Sequence, residues 1–373
     1  MKDQLVTKDG PTGRYAIYFS ISDSYSFAIA NVIMGLKKYS PALMDLCDII
    51  VYHTGISNEN IGLLRKLHEN TYFREMVFPE EYNVILEHKT AKVWGPYVVA
   101  KFAGFDLIHE YEKALFLDAD LLIRDDISPI FALEEEIAWC NILAWDIKAN
   151  FASLLRHPDD YISAGNAGLY YFSDKLKKYG ITSKSIVSAF ETVKGLKRGG
   201  SDELVMAWIV YENKMSLKEL ERDIWNIPAR RAKPESKILH FLDHMNVSTK
   251  PWKNLAAYLY FTEWRDRYQQ WLDMGGKGLA NFTEKDHYAL FGFDQREKIQ
   301  KLETTLKAKA SFKLEDYLQL QKEHQKLQEE HEKLQAKYDK VIDSVSWRFT
   351  KPFRVCANKL RDLMKKVRSC FKK

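Results

Sequence analysis

Two carboxylates stand in the middle of an apolar run at Leu115–Ile123, LFLDADLLI. Burying charge without compensation is costly, so Asp118 and Asp120 need partners or an open sheet edge. In open α/β sheets, ligands bind beyond the carboxyl ends of the strands. A strand ending in Asp118-Ala119-Asp120 delivers both acids there, and residues two apart in an extended chain share a side. Hard oxygen donors so placed suit Mg²⁺ or Mn²⁺ and, with the ion, a diphosphate. A diphosphate leaving group gathers negative charge as its bond breaks, and a divalent ion neutralises that charge. The pattern is short, and the same pair also fits turn or helix-capping aspartates at a strand end.

Three further stretches carry groups that suit this chemistry. ILHFLDHMNVSTKPW, residues 238–252, places His240 in a short apolar strand and Lys250 ten residues on. Lys250 could meet phosphate as a point charge; a strand histidine is otherwise a satisfied core residue. GNAGLYYF, residues 165–172, opens an aromatic strand with small residues and Asn166, a ready hydrogen-bond group. Gly199-Gly200-Ser201-Asp202-Glu203 makes a turn into a helix with acids in its first turn, which N-capping alone could explain.

The surrounding elements are legible. Tyr15–Phe19, Cys47–Tyr52 and Thr71–Phe78 are rich in strand formers, while Tyr25–Lys38 and Asn58–Glu69 have helical periodicity. This alternation predicts an α/β fold with a parallel sheet. Tyr97–Ile108 reads as one helix, and Ala114–Leu117 as the strand that carries Asp118. Ser128-Pro129 reads as a turn, Ser201–Tyr211 as a helix, and Ile137–Trp145, Ala167–Phe172 and Lys237–Leu242 as strands.

A chain of 373 residues exceeds the ~250–300 at which one core stops growing, so a large domain plus an appendage is expected. The net charge is +5, but residues 346–373 hold ten Lys or Arg against one acid, Asp362. That segment carries +9 and the rest −4, which argues against a broad nucleic-acid-binding surface. Four cysteines without metal spacing fit a reducing compartment. The N-terminal residues do not read as a signal peptide, and no run approaches the ~20 apolar residues of a membrane span. A cytoplasmic protein is expected.

From Gln295 to Val345 there is no Gly or Pro. Leu320, Leu327, Leu334 and Val341 recur every seven residues, with His324, His331 and Tyr338 four positions later in each heptad. The pattern predicts a coiled coil and homo-oligomers; a lone charged helix is the other reading. Phe353, Cys356, Leu360, Leu363, Val367 and Phe371 then form one apolar face among many cations. Such a helix suits an anionic membrane surface or a docking contact. The expected organisation is a leader at 1–13, a catalytic domain at 14–293, the coiled coil at 294–345 and the basic tail at 346–373.

Taken together, the four motifs over Tyr15–Trp252 resemble the family 8 glycosyltransferases, the glycogenin-like and bacterial lipopolysaccharide glucosyl- and galactosyltransferase group. The resemblance implies a GT-A (Rossmann-like) fold and a retaining hexosyltransferase that uses a UDP-sugar with Mn²⁺ or Mg²⁺. It implies Asp118, Asp120 and His240 as metal ligands, and Ser20, Ser22 and Tyr25 at the uracil. Lys101 then meets the donor, Asn166 lies near the transferred sugar, Asp202 and Glu203 line the sugar pocket, and Lys250 meets the phosphate. Two departures stand out. His240 and Lys250 are farther apart than usual with no glycine between, and Glu203 replaces the common Gln. Ser344–Arg354 resembles the SxSWRxTxPxR segment of bacterial surface-polysaccharide glycosyltransferases. It implies a glycan or lipid-linked glycan acceptor and a position on the inner face of the cytoplasmic membrane. An inverting GT-A enzyme and a catalytically silent, membrane-recruited scaffold are the alternatives.

Overall fold

The computed structural model describes residues 12–142, 147–197, 199–244 and 247–280, together with a few helical residues between 323 and 334. Most of the leader, of the coiled-coil segment and all of the basic tail lie outside the described residues, as does the end of the strand expected to reach Trp145. The chain divides into two compact units, Met1–Ala289 and Leu290–Lys373, and the first contains the elements described below.

Its centre is a seven-stranded sheet. β1 (Tyr15–Ile21), β2 (Cys47–His53), β3 (Thr71–Glu75) and β4 (Lys113–Leu117) run parallel. β5 (Leu121–Ile123) leaves for a second sheet. β6 (Ile137–Asn141), β7 (Gly165–Ser173) and β8 (Leu217–Leu220) complete the first in the order β3-β2-β1-β4-β7-β6-β8. The expected parallel sheet is therefore mixed: β7 runs antiparallel to both β4 and β6. Since β6 and β8 pair in parallel, the carboxyl ends of β1, β4, β6 and β8 share one rim.

The sheet is buried on both faces, which is why its strands read as continuous apolar runs. Tyr15 to Phe19 of β1 and Ala114 to Leu117 of β4 are all inaccessible or nearly so. Tyr18, Phe116, Tyr170 and Phe172 pack together under one face. The helix Ser26–Tyr39 is buried from Ser26 to Leu36 and packs against β5 and the helix Thr262–Asp273. There Asn31 donates to the Trp264 carbonyl (2.8 Å) and Arg267 to that of Ile123 (2.9 Å).

A small sheet holds the rest of the site. β9 (Ile227–Pro228) and β10 (Ile238–His240) join β5 in the order β5-β10-β9, with His240 opposite Leu121. The helix expected over Tyr97–Ile108 is broken into turns at Tyr97–Ala100, Lys101–Ala103 (3₁₀) and Gly104–Leu107. Two contacts account for the break: Tyr18 Oη donates to the Lys101 carbonyl (2.7 Å), and Gly104 lies so close to Phe172 that a Cβ there would sit 2.4 Å from the ring. Ser128-Pro129, read as a turn, opens the 3₁₀ helix Ser128–Ala132 with Pro129 in its first turn, where proline's missing N–H costs nothing. No described helix is long and apolar enough to cross a membrane.

Candidate active site

Asp118 and Asp120 bracket the change of sheet. Asp118 follows β4 and its N–H donates to the Gly168 carbonyl (3.0 Å); the Asp120 carbonyl accepts from Phe241 N–H (2.9 Å). The chain turns through Ala119 and Asp120 instead of staying extended. The two carboxylates converge because each is tied to a different sheet, not because of strand alternation.

His240 closes the group. Its Nε2 lies 3.2 Å from Asp120 Oδ1 and 3.7 Å from Asp118 Oδ2. Its Nδ1 lies 2.9 Å from Asn226 Oδ1. Asn226 Nδ2 in turn donates to Asn166 Oδ1 (2.8 Å), which also accepts Gly168 N–H (3.2 Å). Nδ1–H donates to the Asn226 oxygen, so Nε2 is the ring atom turned to the carboxylates and the one that would meet an ion. The ring is only 3% exposed, and it lies against Gly168, where a Cβ would come 2.5 Å from His240 Cε1.

The ligand atoms of Asp118, Asp120 and His240 all lie within 4.8 Å of one another. Two carboxylates and a neutral imidazole suit a divalent ion such as Mn²⁺. The orientation of His240 by an amide on its far side is what a metal-bound histidine requires.

Two lysines flank the acids. Lys101 Nζ lies 3.3 Å from Asp118 Oδ1 and 3.2 Å from Asp202 Oδ2, and it donates to the Ala167 carbonyl (3.1 Å). Burial works against its charge, but Asp118, Asp202 and Glu203 outweigh it and hold the ammonium above its ordinary pKa. Lys250 Nζ lies 2.8 Å from Asp120 Oδ2. The two acids consequently differ. Burial pushes Asp118 above the usual carboxylate range, with Asp120 and Asp202 adding to it against Lys101 and His240. Burial opposes ionisation of Asp120 too, yet His240 and Lys250 hold it well below that range.

The other sequence-predicted residues fall around this centre. Ser201, not Asp202, caps the helix Asp202–Glu212, its Oγ accepting Leu204 N–H (3.3 Å). Capping therefore does not account for the acids: Asp202 meets Lys101, and Glu203 Oε1 accepts Ala167 N–H (3.4 Å). Gly200 makes the turn before them at φ +80°, a conformation that favours glycine. Tyr25 sets its ring against Trp252 (6.0 Å), over which Lys250 Nζ lies at 5.8 Å. Ser20 Oγ donates to the Tyr97 carbonyl (3.1 Å), and Ser22 and Ser24 hydroxyls bond to each other (3.1 Å). Neither serine touches the acid cluster.

The long gap between His240 and Lys250 has a structural cause. A two-stranded ribbon, Asp243–His244 against Val247–Ser248, absorbs the extra residues. Thr249 Oγ1 closes its base on the Leu242 carbonyl (2.7 Å). Two residues escaped the sequence reading. Asn226 follows a helical turn and belongs to no periodic pattern, so nothing in the sequence singles it out. Asp23 holds the loop after β1 through Ser57 N–H (2.9 Å), Ser57 Oγ (3.0 Å) and Asn60 Nδ2 (2.7 Å). Its place just after the first strand was the available signal.

Comparison with known proteins bears on this arrangement. The model of glycosyl transferase family 8 matches residues 16–256. A galactosyltransferase, LgtC, solved with donor and acceptor sugar analogues, superposes with a TM-score of 0.55 at 16% identity, over 74% of this chain and all of that one. WbbM, a bifunctional glycosyltransferase solved in its apo form, gives 0.48 at 14% identity over 71% of this chain and 51% of its own. GlyE, a glycosyltransferase of Streptococcus pneumoniae TIGR4, gives 0.44 at 15% identity, over 70% of this chain and 64% of its own. The first shows that the fold is GT-A. No curated protein matches by sequence.

Proposed function

The chain belongs to glycosyl transferase family 8, and from that premise we propose that it moves a hexose from a UDP-sugar to a glycan acceptor, with retention and with Mn²⁺. The observation that carries the metal-dependent reading is the aim of His240, whose Nε2 faces Asp118 and Asp120 while Asn226 holds Nδ1. These three side chains would hold the ion, which supplies positive charge to the departing diphosphate. Lys250 and Lys101 add charge at the same place. The acceptor hydroxyl attacks the anomeric carbon on the face from which the diphosphate leaves. The new C–O bond forms as the sugar–phosphate bond breaks, and the hydroxyl proton passes to the leaving phosphate. Asp202 is ion-paired with Lys101, which lowers its reactivity as a covalent nucleophile and favours this front-face route over a glycosyl-enzyme intermediate.

Tyr25, Ser20 and Ser22 are assigned to the uracil, and Asn166, Asp202 and Glu203 to the sugar. The charge of residues 346–373 supports a peripheral position on the inner face of the cytoplasmic membrane, with a lipid-linked or cell-surface glycan as acceptor. The heptads support homo-oligomers. UDP release from a panel of UDP-sugars, with Mn²⁺ or EDTA, tests the reading. One sugar should turn over, EDTA and Asp120→Ala should abolish it, and NMR of the product should show the donor's anomeric configuration. Turnover indifferent to EDTA, or an inverted product, would overturn it.

A further inference from the structure

The rim that carries Asp118 extends past β6 to β8, and a group of arginines stands at its far end. Arg222 follows β8 by two residues and opens the short helical turn Arg222–Trp225, whose end is Asn226. Asn226 N–H donates to the Arg222 carbonyl (3.1 Å), so Arg222 lies one helical turn, roughly 5–6 Å, from the residue that orients His240. Arg230 and Arg231 come from the 3₁₀ turn Ala229–Arg231, directly after Pro228, which is paired with His240. Counting strand spacings of about 4.8 Å, the β8 end is roughly 14 Å from the β4 end. That distance is a few sugar units along the same rim.

The state of Arg222 is unusual for a structural arginine. Its Nε is buried without an acceptor, and among the described residues no carboxylate pairs with its guanidinium. The neighbouring Asp223 pairs instead with Lys233. The terminal nitrogens of Arg222 are not among the buried atoms that lack partners, so the fork is fixed at its base and open at its tip. Burial, then the charges of Arg231 and Arg230, lower its pKa. A guanidinium held this way is arranged for an oxyanion that it can grip with two parallel bonds.

We propose that Arg222, with Arg230 and Arg231 beside it, forms an anion site on the acceptor side of the crevice and takes a phosphate group carried by the acceptor. This rests on the glycosyltransferase reading, and the test separates the two. Full-length enzyme saturated with UDP is titrated with glucose 6-phosphate, glucuronate and glucose. The phosphate ester should bind most tightly, Arg222→Gln should weaken it about tenfold or more, and Arg222→Lys should recover part of the loss. UDP affinity should be the same in all three proteins. Glucose 6-phosphate binding no tighter than glucose, or unchanged in Arg222→Gln, would overturn the site. Glucuronate bound as tightly as the ester would overturn the phosphate assignment. Loss of UDP binding by wild type would count against the glycosyltransferase reading alone.

Discussion

The two sheets meet at the metal-ligand group, yet each holds its half by different means. In the seven-stranded sheet, Asp118 is braced from within. Lys101, 8% exposed, reaches under the strand ends to Asp118, Asp202 and the Ala167 carbonyl, over the ring of the fully buried Phe116. In the three-stranded sheet, Asp120 and His240 lie at or beside strands of two or three residues. Their aim comes from the chain Asn166–Asn226–His240 and from Lys250. A buried, ion-paired lysine places the first half, and an amide relay with a second lysine places the other. Damage to the first half should therefore appear in stability, and damage to the second in metal affinity and rate.

Asp120→Ala should have the largest effect. It removes a ligand and strands both His240 and Lys250, and turnover should fall about 10³-fold, roughly 4 kcal/mol, in a UDP-release assay with Mn²⁺. Retained activity would mean that the small sheet contributes no ligand. Lys101→Met should come next, mainly in stability. It leaves Asp118 and Asp202 without their cation, which should cost about 3 kcal/mol in urea unfolding. Unchanged stability would erase the distinction between the halves. Asn226→Ala should do the opposite of Lys101→Met, with the fold retained and Mn²⁺ affinity lowered about 10- to 100-fold by calorimetry.

The smallest effect tests a polar contact of the large sheet far from the site. Burial works against the charge of Glu136, but Lys178, Ser216 N–H and Tyr179 Oη hold its pKa below the ordinary value. Because the folded value is the lower one, this stabilisation is present above the unfolded pKa and is lost as pH falls through the folded one. Glu136→Gln should cost about 1 kcal/mol at pH 7. The difference from wild type should close once the pH drops below the ordinary carboxylate range of about 4, with UDP release unaffected.

The same contrast explains what could be read from the chain. β1, β4 and β7 are buried on both faces, so their apolar runs announce them, and two acids inside such a run called for partners or an open sheet edge. Of the small sheet only the middle strand, read as Lys237–Leu242, announced itself, with His240 in it. The role of His240 as a ligand came from resemblance to a family, and Asn226 stood out through nothing at all, because its role is set by a partner fourteen residues away. The break at Lys101 was equally hidden, since it depends on Tyr18 and Phe172 from distant strands. Lys250 reaches Asp120 despite the long gap because a ribbon takes up the slack.

Electron paramagnetic resonance of Mn²⁺ titrated into the UDP complex reads the ion site itself. Wild type should hold one tight ion per chain, with binding weakened about tenfold or more in Asn226→Ala and further in His240→Ala. Wild-type protein that leaves Mn²⁺ free, or a His240→Ala variant that binds it as tightly as wild type, would contradict the ligand assignment.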